Sequence, residues 1–171
     1  ARVHRLLVPL LQALRASGVR PPYKVVDVGC GLGYVVRWLA HSGGLGDDVT
    51  LWGCDYNATL IEQASALAKQ ESLRCSFVVA NAFRLGEPAT IFLSTGVLHH
   101  FRGDDLDRFF AAQAGSGAVA FLHSDTKASW LAPLGSWLFH EARMREPLAR
   151  HDGILSAVRA HPGARLAESA Q

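Results

Sequence analysis

The sequence predicts an α/β fold, a doubly wound, mostly parallel sheet with helices on both faces. Three observations predict it. Residues 25–28 (Val-Val-Asp-Val) form a short β-branched run that ends in a glycine turn, Gly29-Cys30-Gly31-Leu32-Gly33, and a helical pattern starts at Tyr34. Further short apolar runs then alternate with amphipathic helical stretches in a single strand–helix order, which yields a parallel sheet. At 171 residues, 49% hydrophobic and 19% charged, the chain suits one folded domain with its own core.

The elements follow in order. Leu6, Leu7, Leu10, Leu11 and Leu14 make a helical stripe over residues 3–16. Pro9 lies inside it, so this helix is expected to kink or to begin near Val8. Gly18 and Pro21-Pro22 close it. After the glycine turn a helix is expected over 34–40 and a second strand over 49–54, ending at Asp55. Asn57 caps a helix over 58–70 whose buried face is Leu60, Ile61, Ala64 and Leu67. Strands follow at 75–79 and 89–94, a helix with Leu106, Phe109 and Phe110 at 104–114, and a fifth strand at 118–122. Right-handed crossovers then gather Asp27, Gly29, Asp55, Asn81 and Thr95 on one rim. Beyond it, Trp130, Leu131, Leu134, Trp137, Leu138 and Phe139 read equally as core or as a lid over an apolar acceptor. Residues 144–160 look helical, broken by Pro147, and residues 165–167 have the look of a strand start.

Composition narrows the function. A net charge of +2 is too small to argue for nucleic acid. Arg143, Arg145, Arg150, Arg159 and Arg165 are interleaved with Glu141, Glu146 and Asp152, the pattern of a solvated helix face. No apolar run approaches the ~20 residues of a membrane span. The Arg-rich start has helical periodicity and no small-residue cleavage site, so it is not read as a signal peptide. The first residue is Ala1 rather than Met, which reads as a trimmed start. Cys30, Cys54 and Cys75 are odd in number and form no Cys-x-x-Cys, which suits reduced thiols in a cytoplasmic protein. Nothing beside Cys30 in sequence supports a nucleophile there.

The spacing of the turn selects its ligand. A dinucleotide fingerprint needs a small residue where Tyr34 stands. The chain reads instead Asp27-x-Gly29-x-Gly31-x-Gly33, with an acid suited to a cationic ligand end such as an α-amino group. This resembles the nucleotide loop of the class I S-adenosylmethionine-dependent methyltransferases. The resemblance covers residues 25–125 and rests on four features in order: the glycine turn, Asp55, Asn81-Ala82, and Thr95-Gly96-Val97-Leu98-His99-His100.

The resemblance implies a Rossmann-like sheet and S-adenosyl-L-methionine as cofactor, with S-adenosyl-L-homocysteine as product. Asp27, Gly29, Cys30 and Gly31 would line the cofactor, Asp55 would hold the ribose hydroxyls, and Tyr56 would stack by the adenine. Asn81, Ala82 and Phe83 would flank the adenine, and Thr95 would complete the rim. The family usually has Asp where Asn81 stands; the amide keeps an acceptor oxygen but no charge. The Leu-His-His segment is similar to that of small-molecule methyltransferases and makes His99, ahead of His100, the candidate catalytic base, the other reading being one His packed under the cofactor and one solvated.

No metal is expected. His99, His123 and Asp125 could be grouped as two imidazoles and a carboxylate, but no helical His pair accompanies them, and an acceptor pocket is the preferred reading. The expected organisation is one methyltransferase-like domain over 1–171: an N-terminal helix in 1–20, a cofactor core in 25–125, and acceptor-side helices in 126–171. Only 46 residues follow Asp125, where the family layout has a helix and two more strands, so the last strands are expected to be missing. The expected function is methyl transfer to a small molecule by in-line displacement. The alternatives are an RNA or protein acceptor, against which the weak basic balance speaks for RNA, and a non-enzymatic adenosine-ligand module, hinted at by Asn81. Oligomeric state is not legible.

Overall fold

The computed structural model describes residues 2–86, 88–143 and 147–170. The chain divides into two compact units, one of residues 1–95 and 111–124, the other of residues 96–110 and 125–171.

The first unit is built on a five-stranded sheet in the order β3-β2-β1-β4-β5. Its strands are β1 (Tyr23–Val28), β2 (Val49–Asp55), β3 (Ser76–Val79), β4 (Ile91–Thr95) and β5 (Ala120–Ser124), and every pairing is parallel. Strand order reverses on either side of β1, and at such a switch point the carboxyl ends leave a crevice for a ligand. Pairing register sets the two faces. Val25 lies between Leu51 and Ile91, and this row meets α1 (Arg2–Ala16) and α2 (Tyr34–Ser42) in one core through Leu7, Leu11 and Leu39. Val26 lies between Trp52 and Phe92 on the opposite face. Asp27 belongs to the first face, between Gly53 and Leu93, so a carboxyl stands in an otherwise apolar row.

Several expectations are corrected. α1 is assigned as one helix from Arg2, with Pro9 inside it, rather than starting near Val8. Pro9 lies on the exposed side, where water can satisfy the carbonyl its ring leaves free, while Val3, Leu7, Leu11 and Leu14 are buried. β4 and β5 are displaced toward the carboxyl side by one to two residues from the expected 89–94 and 118–122. α3 (Ala58–Gln70) begins as expected: the Asn57 side chain accepts hydrogen bonds from the N–H groups of Thr59 and Leu60.

The second unit contains a 3-10 turn (Leu98–His100), the start of α4 (Asp104–Gly115), α5 (Ala132–Arg143), α6 (Pro147–Arg159) and α7 (Gly163–Ser169). The helix expected over 144–160 begins partly outside the described residues; within them Pro147 opens α6. The strand expected at 165–167 is helical in α7. Arg165 there bonds Glu168 one turn on, a pairing that uses the helical spacing, and also Asp107 of α4. α5 and α6 approach closely at Gly153, where a Cβ would overlap the His140 imidazole. The aromatic stretch is not core: Trp130, Leu131, Leu134, Trp137, Leu138 and Phe139 are all exposed.

Candidate active site

The crevice beside β1 is shaped by main-chain bonds. Gly29, Gly31 and Gly33 all take positive φ, which costs a glycine nothing. Their surroundings differ. A Cβ on Gly33 would overlap the Phe77 ring and stand 3.3 Å from the Ala64 Cβ, so this glycine lets α2 approach β3 and α3. A Cβ on Gly31 would meet nothing within 4 Å, so this glycine faces open space. The N–H groups of Gly29 and Cys30 both donate to the Cys54 carbonyl, at 2.8 and 3.0 Å, pinning the turn to the end of β2.

Asp55 fastens the same turn from the side. One carboxylate oxygen accepts from Gly31 N–H (3.0 Å), the other from Asn57 N–H (2.9 Å). Each oxygen retains a second acceptor direction. Asp27 lies at 3% exposure, and its Oδ1 has no hydrogen-bond partner among the described residues. Burial first, and then the Asp55 carboxylate, push its carboxyl up to about 8. A buried, unpartnered acid beside open glycine backbone fits a ligand that brings a cation and hydrogen-bond donors. Cys30 is no nucleophile here: burial, then Asp27, lift its thiol far above the ordinary range, so it carries no thiolate at neutral pH.

The remaining rim residues are arranged along the strand ends. Tyr56 is 82% exposed, a free aromatic face next to Asp55. The Asn81 side-chain oxygen accepts from Phe83 N–H (2.9 Å), and Asn81 closes a short turn with Arg84. Ala82 and Phe83 are half-buried, and Thr95 is exposed at the end of β4. A cavity of about 370 Å³ runs from Asn81 and Ala80 along Cys54, Val26 and Phe92. A larger one, about 750 Å³, lies at the amino ends of β2 and β3 and contains none of the expected site residues.

His99 sits in the second unit at 5% exposure, held on both ring nitrogens. Nδ1 is 2.8 Å from Asp125 Oδ1, and the His99 backbone N–H donates to Asp125 Oδ2 at 3.0 Å. Nε2 is 2.9 Å from the Ser156 hydroxyl. His123, in the first unit, is 2.8 Å from the Ser94 hydroxyl through its Nδ1, and burial pushes it down to about 4. Among the described residues no three His, Cys, Asp or Glu side chains gather as a metal site. Ser156 had no signal in the sequence, lying 57 positions from His99. Asp125 stood out in the sequence as an acceptor-pocket residue or, less so, a metal ligand, and not as a partner of His99 alone.

The sheet order, the glycine turn and the acid closing β2 define a Rossmann-like class of protein. The methyltransferase domain family matches residues 25–115, more than half of the chain, and the chain belongs to that family. No curated protein sequence matches it. Among solved structures it is similar to magnesium protoporphyrin IX methyltransferase from Synechocystis PCC 6803, with bound SAH. That match has 18% identity and a TM-score of 0.61 over 96% of this chain and 69% of that one. A structure described as converting a disulfide bond into a thioacetal group during echinomycin biosynthesis matches at 21% identity and TM-score 0.64, over 95% and 67%. The plantazolicin methyltransferase BamL, with a triazolic desmethylPZN analog and SAH, matches at 16% and 0.61, over 97% and 58%.

Proposed function

We propose that this chain is an S-adenosylmethionine-dependent methyltransferase acting on a small molecule. The observation that carries the reading is the Gly31 backbone, open to space and bracketed by an unpartnered buried Asp27 and by Asp55. Family membership supports it, as do structural neighbours solved with SAM or SAH and, for BamL, with a triazolic desmethylPZN analog. In this reading Asp27 takes the cofactor's ammonium, and its carboxylate regains a partner. Gly29 and Gly31 give backbone approach without a Cβ, and Cys30 lines the cofactor between them. Asp55 accepts the ribose hydroxyls with its free lone pairs, Tyr56 stacks, and Asn81, Ala82 and Phe83 border the adenine. Thr95 closes the rim.

When bound, the cofactor supplies an already activated methyl group. The protein therefore has to align, exclude water and, where the acceptor carries a proton, remove it. Residues 25–125 hold the cofactor, residues 126–171 serve the acceptor, and His99 takes part in proton removal. The three thiols suit a cytoplasmic, reducing setting.

Calorimetric titration of S-adenosylmethionine into wild type and Asp55→Ala tests the reading. Saturable binding to wild type is expected, weakened about 100-fold or more in Asp55→Ala, the scale for losing two charge-assisted hydrogen bonds. A wild type that gives no heat and no thermal shift overturns it.

A further inference from the structure

The second unit holds three side chains bonded in a line: Asp125, His99 and Ser156. Asp125 Oδ1 is 2.8 Å from His99 Nδ1, and the Ser156 hydroxyl is 2.9 Å from His99 Nε2. Acid, imidazole and hydroxyl joined in this way make a serine nucleophilic. The arrangement is recognised by geometry and roles, not by order in the chain.

Each member suits its role. Asp125 accepts from the N–H groups of His99 and Thr126, which orient its carboxylate. An ionised carboxylate only accepts, so the ring proton sits on Nδ1 and Nε2 keeps its lone pair. The side chains of His99 and Asp125 are buried, while Ser156, on α6, is half-buried. The Ser156 hydroxyl has one proton and a second acceptor in reach, the Asp152 carbonyl at 2.8 Å. While His99 is neutral, Nε2 has no other donor among the described residues, so the proton turns to it. His161 bonds the Leu98 and Phe101 carbonyls and so fixes the turn that carries His99.

Attack by a serine builds negative charge on a carbonyl oxygen, and a fixed positive charge favours that step. Arg159 lies three residues beyond Ser156, on the same face of α6. It acts electrostatically on His100, whose ring centre is 4.2 Å from that of His99. Burial and then His99 lower the His100 pKa, so at neutral pH the positive charge here is that of Arg159. Among the described residues Arg159 makes no hydrogen bond or ion pair.

We propose that the second unit carries an ester-cleaving site of its own, with Ser156 as nucleophile, His99 as base, Asp125 as positioning residue and a carboxylic ester as substrate. Ser156 Oγ bonds to the carbonyl carbon and its proton passes to Nε2. The carbonyl π pair moves to oxygen, where Arg159 faces it. As the pair returns, the bond to the alcohol oxygen breaks, and that oxygen takes the proton from Nε2. Water then attacks the acyl-serine by the same proton route. Ester and water thus become acid and alcohol, with no other reactant.

The full chain is tested without cofactor. The result is therefore separate from the methyltransferase reading, which titration with S-adenosylmethionine decides. A fluorophosphonate probe comes first: Oγ bonds to phosphorus and fluoride leaves. Peptide mapping by mass spectrometry should place the label on Ser156. No label, or a label elsewhere, overturns the proposal whether or not any variant folds.

Turnover comes second, read as p-nitrophenolate release from p-nitrophenyl acetate. Ser156→Ala and Asp125→Asn should each lower kcat about 100-fold or more, and Asp125→Glu should recover most of the second loss. ¹⁵N NMR of the histidine rings should show neutral His99 protonated on Nδ1. Wild-type kcat in Ser156→Ala, or a neutral His99 protonated on Nε2, overturns the proposal.

Discussion

At the glycine turn, geometry is set by the main chain: Gly29 and Cys30 donate to the Cys54 carbonyl, and Gly31 donates to Asp55. Around His99, geometry is set by side chains, with Asp125 and Ser156 gripping the two ring nitrogens. The difference has a physical consequence. Main-chain bonds hold a turn of fixed shape with the Gly29, Cys30, Gly31 and Gly33 N–H groups spent, leaving open space at Gly31 and Asp27 Oδ1 without a hydrogen-bond partner among the described residues. Side-chain bonds hold a cluster whose protons can be rearranged.

The largest expected effect separates two roles within the turn itself. Gly33→Val should destabilise the fold by about 3 kcal/mol or more, because a β-branched residue is strained at φ 69° and its Cβ would enter the Phe77 ring. Gly31→Ala carries only the conformational strain, about 1 kcal/mol, since its Cβ meets nothing. Yet Gly31→Ala should weaken S-adenosylmethionine at least tenfold by filling the space the ligand needs. Urea unfolding and calorimetry on both variants check this. If Gly31→Ala binds as wild type does, the open side of the turn is not a ligand surface.

This contrast explains what was legible. The glycine turn, Asp55 and the Asn57 cap announce themselves because their physics is local: positive φ, a strand end, a helix start. The sheet was equally readable, since β-branched runs alternate with helical stripes. Of the two outcomes read from Pro9, a start near Val8 did not occur, because tertiary burial of Leu7 and Leu11 outweighs one lost helix bond. Residues 165–167 misled because a three-residue window cannot reveal that Arg165 is fixed by Asp107. Ser156 was invisible for the same reason. A serine inside an amphipathic helix is unremarkable until the fold brings it to His99.

Asp27 gives the next effect in size, and its sign can be worked out. Its folded carboxyl titrates near 8, against an ordinary value of 3.8. Between those two values the unfolded chain has released the proton and the folded chain keeps it. The stability linked to this group is therefore complete below about pH 4 and is lost as pH rises through about 8. Asp27→Asn removes the dependence, so it should gain stability relative to wild type as pH climbs from 4 to 8, while losing affinity for S-adenosylmethionine. Thermal melts across that range read the first part. Calorimetry in buffers of different ionisation enthalpy reads the second: at pH 7 wild type should release about one proton on binding the cofactor, and Asp27→Asn none. Parallel melting profiles for the two proteins would mean that Asp27 is ionised in the folded chain.

The smallest effect concerns the part of the rim least involved in the fold. Tyr56 is 82% exposed, so Tyr56→Ala should change stability by no more than about 0.5 kcal/mol. Its ring is free to cover a flat heterocycle, and losing that face should weaken S-adenosylmethionine about fivefold, the equivalent of ~1 kcal/mol of stacking. Tyr56→Phe should restore the affinity, because the aromatic face and not the hydroxyl does the work. Equal calorimetric affinity of all three proteins would move the adenine away from Tyr56 and toward the cavity bordered by Asn81, Cys54 and Phe92. There Asn81→Ala would then carry the larger loss, and binding on this rim would depend on a side-chain amide as well as on the main chain.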